Sequence, residues 1–187
     1  MNQAEHDLLV LEAQDGDSEA FEALVRLHHR DLVRFAFSLC GEAATAQDAV
    51  QETWLRIARR LRRLEDPRAF RGWLYRGVRW RVLDQVRRAH RRDEPLDGAP
   101  EPADDPALGE RRDRALDLGR AVDRLPMIER AALQLYYVNG LGIAEIGVAL
   151  DAAPGTVKSR LHRARERLKT LLKGEDDDDR RPDSRRA

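Results

Sequence analysis

RAFRGWLYRGVRWRVLDQVRR, residues 68–88, decides how the rest of the chain is read. No proline interrupts it, Asp66 can cap it and Pro67 suits a first turn, so it is predicted to be one helix over about 67–89. Phe70, Leu74, Val78, Val82 and Val86 recur every fourth residue and predict an apolar stripe facing a core. Arg68, Arg71, Arg76, Arg79, Arg81, Arg87 and Arg88 spread positive charge over the remaining surface, with Trp73, Tyr75 and Trp80 interleaved. Guanidinium groups hold phosphates and flat rings stack on unpaired bases, so the pattern predicts a surface for single-stranded nucleic acid. The plainer alternative is a helix with its aromatics in a core and its arginines in water.

The charge around this stretch is segregated, although the 187-residue chain is formally neutral with 36% charged residues. From Arg56 to Arg92 fourteen arginines face only Glu65, Asp66 and Asp84. Residues 93–110 hold seven acids and no lysine or arginine, and residues 154–173 hold seven bases against Glu166. Two basic blocks flanking an acidic one predict a polyanion bound at two places. Cys40 is the single cysteine, so no intramolecular disulfide forms, which fits a reducing cytoplasm. The N-terminus lacks the pattern of a signal peptide, and no apolar run approaches the ~20 residues that span a bilayer.

Upstream, residues 5–14 predict a short helix closed by Asp15-Gly16-Asp17, and Asp17 or Ser18 caps the next. Phe21, Leu24, Val25, His28, Leu32, Phe35, Ala36 and Leu39 fall on one helical face, which Gly41 ends; His28 on that face reads as a core histidine. A third helix, about 46–64, turns Ala49, Val50, Thr53, Trp54, Ile57 and Leu61 inward, and its outer face runs from acidic to basic. Residues 93–110, with four prolines and two glycines, read as an extended flexible linker. Beyond it, Ala115, Leu118, Val122 and Leu125 share a face, and Pro126 opens a helix with Ile128, Ala132, Leu135 and Tyr136 inward. After the break at Asn139-Gly140, a short helix carries Ile143, Ile146 and Leu150. Asp151-Ala152-Ala153 makes a tight turn, and Pro154 opens a last helix with Val157, Leu161, Ala164 and Leu168 inward. Short helix, tight turn and longer basic helix form a helix-turn-helix, with Ser159, His162, Arg163 and Glu166 outward and Thr156, Lys158 and Lys169 flanking them. The final GEDDDDRRPDSRRA is expected to take no fixed structure.

Over roughly residues 15–172 the chain resembles the extracytoplasmic-function sigma factors, small members of the bacterial sigma-70 family. DAVQETWLRIARRL (48–61) is similar to that family's polymerase-clamp segment, residues 68–88 to its promoter-melting segment, and GTVKSRLHRARERL (155–168) to its recognition helix. The resemblance implies an all-α chain: a region 2-like domain over 1–92, a linker over 93–111, a region 4-like helix-turn-helix domain over 112–173 and a tail over 174–187. It further implies that Asp48, Gln51, Glu52 and Arg56 bind core RNA polymerase at the β′ clamp helices. Arg71, Trp73, Tyr75, Arg76, Arg79 and Trp80 would open the −10 element of promoter DNA. Thr156, Lys158, Ser159, His162 and Arg163 would read the −35 element, with the β flap and an anti-sigma factor as further partners. No small-molecule substrate, cofactor or metal is implied. This sequence departs from the family pattern at Trp80, where asparagine is frequent, and at Asp151, where glycine is frequent. A stand-alone helix-turn-helix regulator is the competing reading, but it leaves the aromatic helix without a use. A nucleic-acid enzyme finds no HExxH, paired Cys-x-x-Cys or phosphate-binding glycine loop, and the carboxylate pair Asp48 and Glu52 is by itself an ordinary solvated face.

Overall fold

The computed structural model describes residues 2–92 and 118–178, and every regular element among them is helical. Helix α1 spans Gln3–Asp15, α2 Ser18–Cys40, α3 Ala43–Arg60 and α4 Phe70–Arg92. Residues 118–123 form α5, followed by α6 (Met127–Leu133), α7 (Ile143–Leu150) and α8 (Pro154–Asp178). The boundaries follow local chemistry. Asn2 and Glu5 make a reciprocal capping box on α1, and the Asp17 carboxylate accepts from the amides of Glu19 and Ala20. Gly16 and Gly41 close α1 and α2 in the left-handed conformation that glycine adopts without steric penalty. Asp66 caps a 3-10 turn at Pro67–Ala69 that leads into α4, so the helix proper starts three residues later than its proline suggests.

Helices α1 to α4 pack as a bundle around Leu24, Leu32, Phe35, Val50, Ile57, Phe70, Leu74 and Val78. The C-terminus of α1 is laced to the turn after α3: the Gln14 side-chain amide donates to the carbonyls of Leu61 and Leu64, and Arg62 donates back to the Gln14 carbonyl. His28 is a core histidine, as its face predicts. Its Nε2 lies 2.9 Å from Nε2 of His6, a partner the sequence did not suggest, and both rings lean on Phe70. Burial, then the neighbouring His6 and the Arg71 charge, lower the His28 imidazole to about 3.

Three expectations about the second half need correction. Tyr136 is exposed instead of inward, because Gln134–Val138 form a π turn that inserts a residue and rotates the side chains after it off the α-helical phase. Leu118 is likewise exposed. The tail expected to be unstructured from 174 is helical through Asp178, as the final turns of α8. The linker at 93–111 and residues 179–187 lie outside the described residues.

The two halves do not stand apart. Their buried side chains form one continuous apolar cluster, and α4 lies along α7. Gly72 permits that approach: a Cβ there would sit 2.7 Å from the Glu145 carbonyl oxygen and 2.9 Å from Val148 Cβ. Around it Arg71 pairs with Glu145 at 3.5 Å and donates to the Asn139 carbonyl, Arg76 pairs with Asp151 at 3.2 Å, and Ser38 donates to the Gln134 side chain.

Candidate nucleic-acid interface

A groove of about 420 Å³ runs between α3 and α4. Successive turns of α3 supply Thr53, Arg56, Ile57 and Arg60, and those of α4 supply Trp73, Arg76, Gly77, Trp80 and Arg81. The spacing is that of two helical faces meeting, and Gly77 lets them meet closely, since a Cβ there would lie 2.9 Å from Thr53 Cγ2. Trp80 is 48% exposed, and the guanidinium carbons of Arg56 and Arg81 lie over its ring at 5.5 and 5.2 Å. Contacts of this kind contribute ~0.5–1 kcal/mol at exposed sites. Arg81 is held there by Glu52, whose carboxylate is 2.8 Å away. Two indoles among four guanidinium groups can receive both a base and its phosphates.

The residues expected to act in melting therefore divide three ways. Trp73, Trp80 and Arg76 line the groove. Arg71 and Arg79 lie on the side of α4 that faces the second half. Arg71 is engaged by Glu145 and Asn139, and burial followed by repulsion from Arg160 lowers the Arg79 guanidinium below its usual range. Tyr75 is a correction: it is 2% exposed and packs edge-on against Phe35 with centroids 5.2 Å apart, so it offers no ring to a base. Burial also pushes its phenol well above the ordinary range.

The expected polymerase face divides as well. Asp48 and Gln51 point to solvent, but Arg56 turns toward α4 and lines the groove, and Glu52, itself half exposed, pairs with Arg81 of the groove wall. Beside Gln51 lies a second groove of about 440 Å³ between α2 and α3, lined by Phe21, Val25, His29, Trp54 and Leu55. Leu55 is 57% exposed. Its signal in the sequence was a leucine lying off the apolar stripe of α3.

In the second half, α7, the turn Asp151–Ala153 and α8 form the expected helix-turn-helix. Asp151 takes φ 52° and ψ 55°, the left-handed conformation the tight turn demands. Val157, Leu161 and Ala164 are buried, while Thr156, Lys158, Ser159, His162 and Arg163 lie exposed along α8. The Ser159 hydroxyl donates to the Gly155 carbonyl, which leaves its oxygen as an acceptor. Glu129, on α6, is a residue that sequence reasoning missed. Its side chain is only 6% exposed and pairs with Arg163 at 3.8 Å and Arg167 at 3.3 Å.

Among the described residues no three or more His, Cys, Asp or Glu are grouped to hold a metal, and no helix is long and apolar enough to cross a membrane. Residues 24–92 match the family model for Sigma-70 region 2, and residues 115–168 that for Sigma-70, region 4. The chain is 40% identical over 168 residues to the ECF RNA polymerase sigma factor SigE of Mycolicibacterium smegmatis, a match covering 84% of this chain and 64% of SigE. It is 39% identical over 158 residues to the ECF RNA polymerase sigma factor SigM of Mycobacterium tuberculosis, covering 84% and 79% respectively. Among solved structures, the sigma factor RpoE from Bartonella quintana, in complex with the anti-sigma factor NepR, is similar with a TM-score of 0.63 at 28% identity, over 82% of this chain and 96% of that one.

Proposed function

We propose that this chain, which belongs to the extracytoplasmic-function RNA polymerase sigma factors, serves as a promoter-specificity subunit and carries out no chemical step of its own. The observation that carries the reading is the pairing, in one chain, of a basic groove containing two tryptophans with a helix-turn-helix. The first suits unpaired DNA and the second suits duplex. Opening a −10 element breaks base stacking, and each base received on Trp73 or Trp80 would return ~1–3 kcal/mol. Reading a −35 element needs only groove contacts from Thr156, Lys158, Ser159, His162 and Arg163 on α8, each good pair discriminating by ~1–3 kcal/mol. Asp48, Gln51 and the apolar groove around Leu55 would take the β′ clamp helices of core polymerase, and the second half would engage the β flap. Mounting both halves on one polymerase would raise the effective concentration of each for promoter DNA. The complex of the related RpoE with NepR supports an anti-sigma factor as a further partner. We also propose the division into 1–92, 93–111, 112–173 and 174–187, which the two family matches support in outline.

The test is transcription in vitro by sigma-free core polymerase on fragments of the source genome, with sequencing of RNA 5′ ends. Defined starts that share two upstream elements are expected. No added starts, together with tight polymerase-independent binding to one duplex, would overturn the reading in favour of a stand-alone regulator.

A further inference from the structure

Glu129 poses a physical question. A carboxylate withdrawn from water gives up its hydration and is costly to bury unless a cation replaces the solvent. Here two cations do so. Arg163 and Arg167 are one turn apart on α8, and the Glu129 side chain of α6 meets both, with Oε1 3.8 Å from Arg163 Nε and Oε2 3.3 Å from Arg167 Nη1. Buried Oε2 has no hydrogen bond, so its attachment is ionic. Both arginines remain about half in solvent, at 59% and 51%, along the border of the face that carries Lys158, Ser159 and His162. An arginine near a recognition face binds any phosphate, and phosphate contacts carry no sequence information.

We propose that Glu129 is a positioning residue for duplex recognition: it draws the guanidinium groups of Arg163 and Arg167 toward the α6–α8 junction and withholds their charge from indiscriminate phosphate binding, holding Arg163 for the groove contact assigned to it. Duplex discrimination is thereby left to the side chains that reach base edges. This inference rests on the assignment of α8 to duplex DNA. It predicts an unusual sign, because removing a buried acid increases binding to DNA of arbitrary sequence.

The experiment uses the full chain and a mixed-sequence duplex, with fluorescence anisotropy read over a series of salt concentrations. Each phosphate neutralised contributes about −0.9 to the slope of log affinity against log salt. Glu129→Gln is expected to tighten binding several-fold and to steepen the slope by about one to two such contacts. Glu129→Asp, which keeps the charge, should restore the parent slope. A Glu129→Gln chain that keeps its helical circular dichroism yet has the parent's slope overturns the inference. Arg167→Gln leaves the acid paired with Arg163 and so protects the fold. Its slope should match the parent's, and loss of about one contact would show that Arg167 already grips phosphate, which also overturns the inference. Lys158→Ala separates the two assignments. A weaker, shallower response confirms that α8 binds duplex, and no response overturns that reading and this inference together.

Discussion

At the scale of single residues, three aromatics that look alike in the sequence take different fates. At about 100° per residue, Tyr75 lies about 80° from the middle of the stripe formed by Phe70, Leu74, Val78 and Val82, whereas Trp73 and Trp80 lie about 120° and 140° away on the other side. The wheel therefore contained the answer, but the shared chemistry of the rings grouped them. Trp80→Ala is expected to lower promoter opening about tenfold with polymerase affinity unchanged, as permanganate footprinting of the −10 region would read. Tyr75→Phe should leave opening intact, and Tyr75→Ala should cost the fold about 3–5 kcal/mol by denaturant titration. His28 gives a pH prediction. Its imidazole titrates near 6.5 when unfolded and only at about 3 when folded, so between those values the unfolded chain binds more protons. Stability must therefore fall as pH is lowered from about 7, by up to ~1.4 kcal/mol per pH unit from this group. Thermal melts between about pH 7 and pH 5, a window above the ordinary carboxylate range, should show Tm dropping, and His28→Gln should flatten the drop.

Among elements, caps and periodicity located nearly every helix, because Asp17, Gly16, Gly41, Asp66 and Pro154 act within a turn of where they stand. The π turn at Gln134–Val138 was not legible, since the expected inward positions assume an unbroken α-helical period. The two faces of α3 were legible as polar and charged but not as to what each meets. Glu52 and Arg56 look outward in the sequence and are turned to α4 by Arg81 and Trp80. The faces can be separated experimentally. Leu55→Asp is expected to weaken binding to a β′ clamp fragment about tenfold, ~1.4 kcal/mol, by calorimetric titration. Glu52→Ala should leave that affinity unchanged while reducing promoter opening, because Arg81 loses its anchor beside Trp80.

For the whole molecule, the segregation of charge was plain in the sequence, but the joining of the two halves was not. The contact rests on Arg71 meeting Glu145, Arg76 meeting Asp151 and the bare backbone of Gly72 under Val148, pairs too distant in sequence for any local pattern to announce. Gly72→Ala tests it. The change suits an α-helix, where alanine is favoured by up to about 1 kcal/mol, but its methyl must displace the Glu145 carbonyl. The halves should move apart, raising the radius of gyration in small-angle X-ray scattering while helical content stays constant. An unchanged radius would mean that the contact absorbs a methyl and is looser than the close approach at Gly72 implies.

The same seam bears on how a free copy of the chain spends its time in a cell. A genome offers a vast excess of irrelevant duplex that detains any protein with unmatched arginines. With Arg71 and Arg76 matched to acids of its own second half, fewer guanidinium groups of the free chain are left to such duplex.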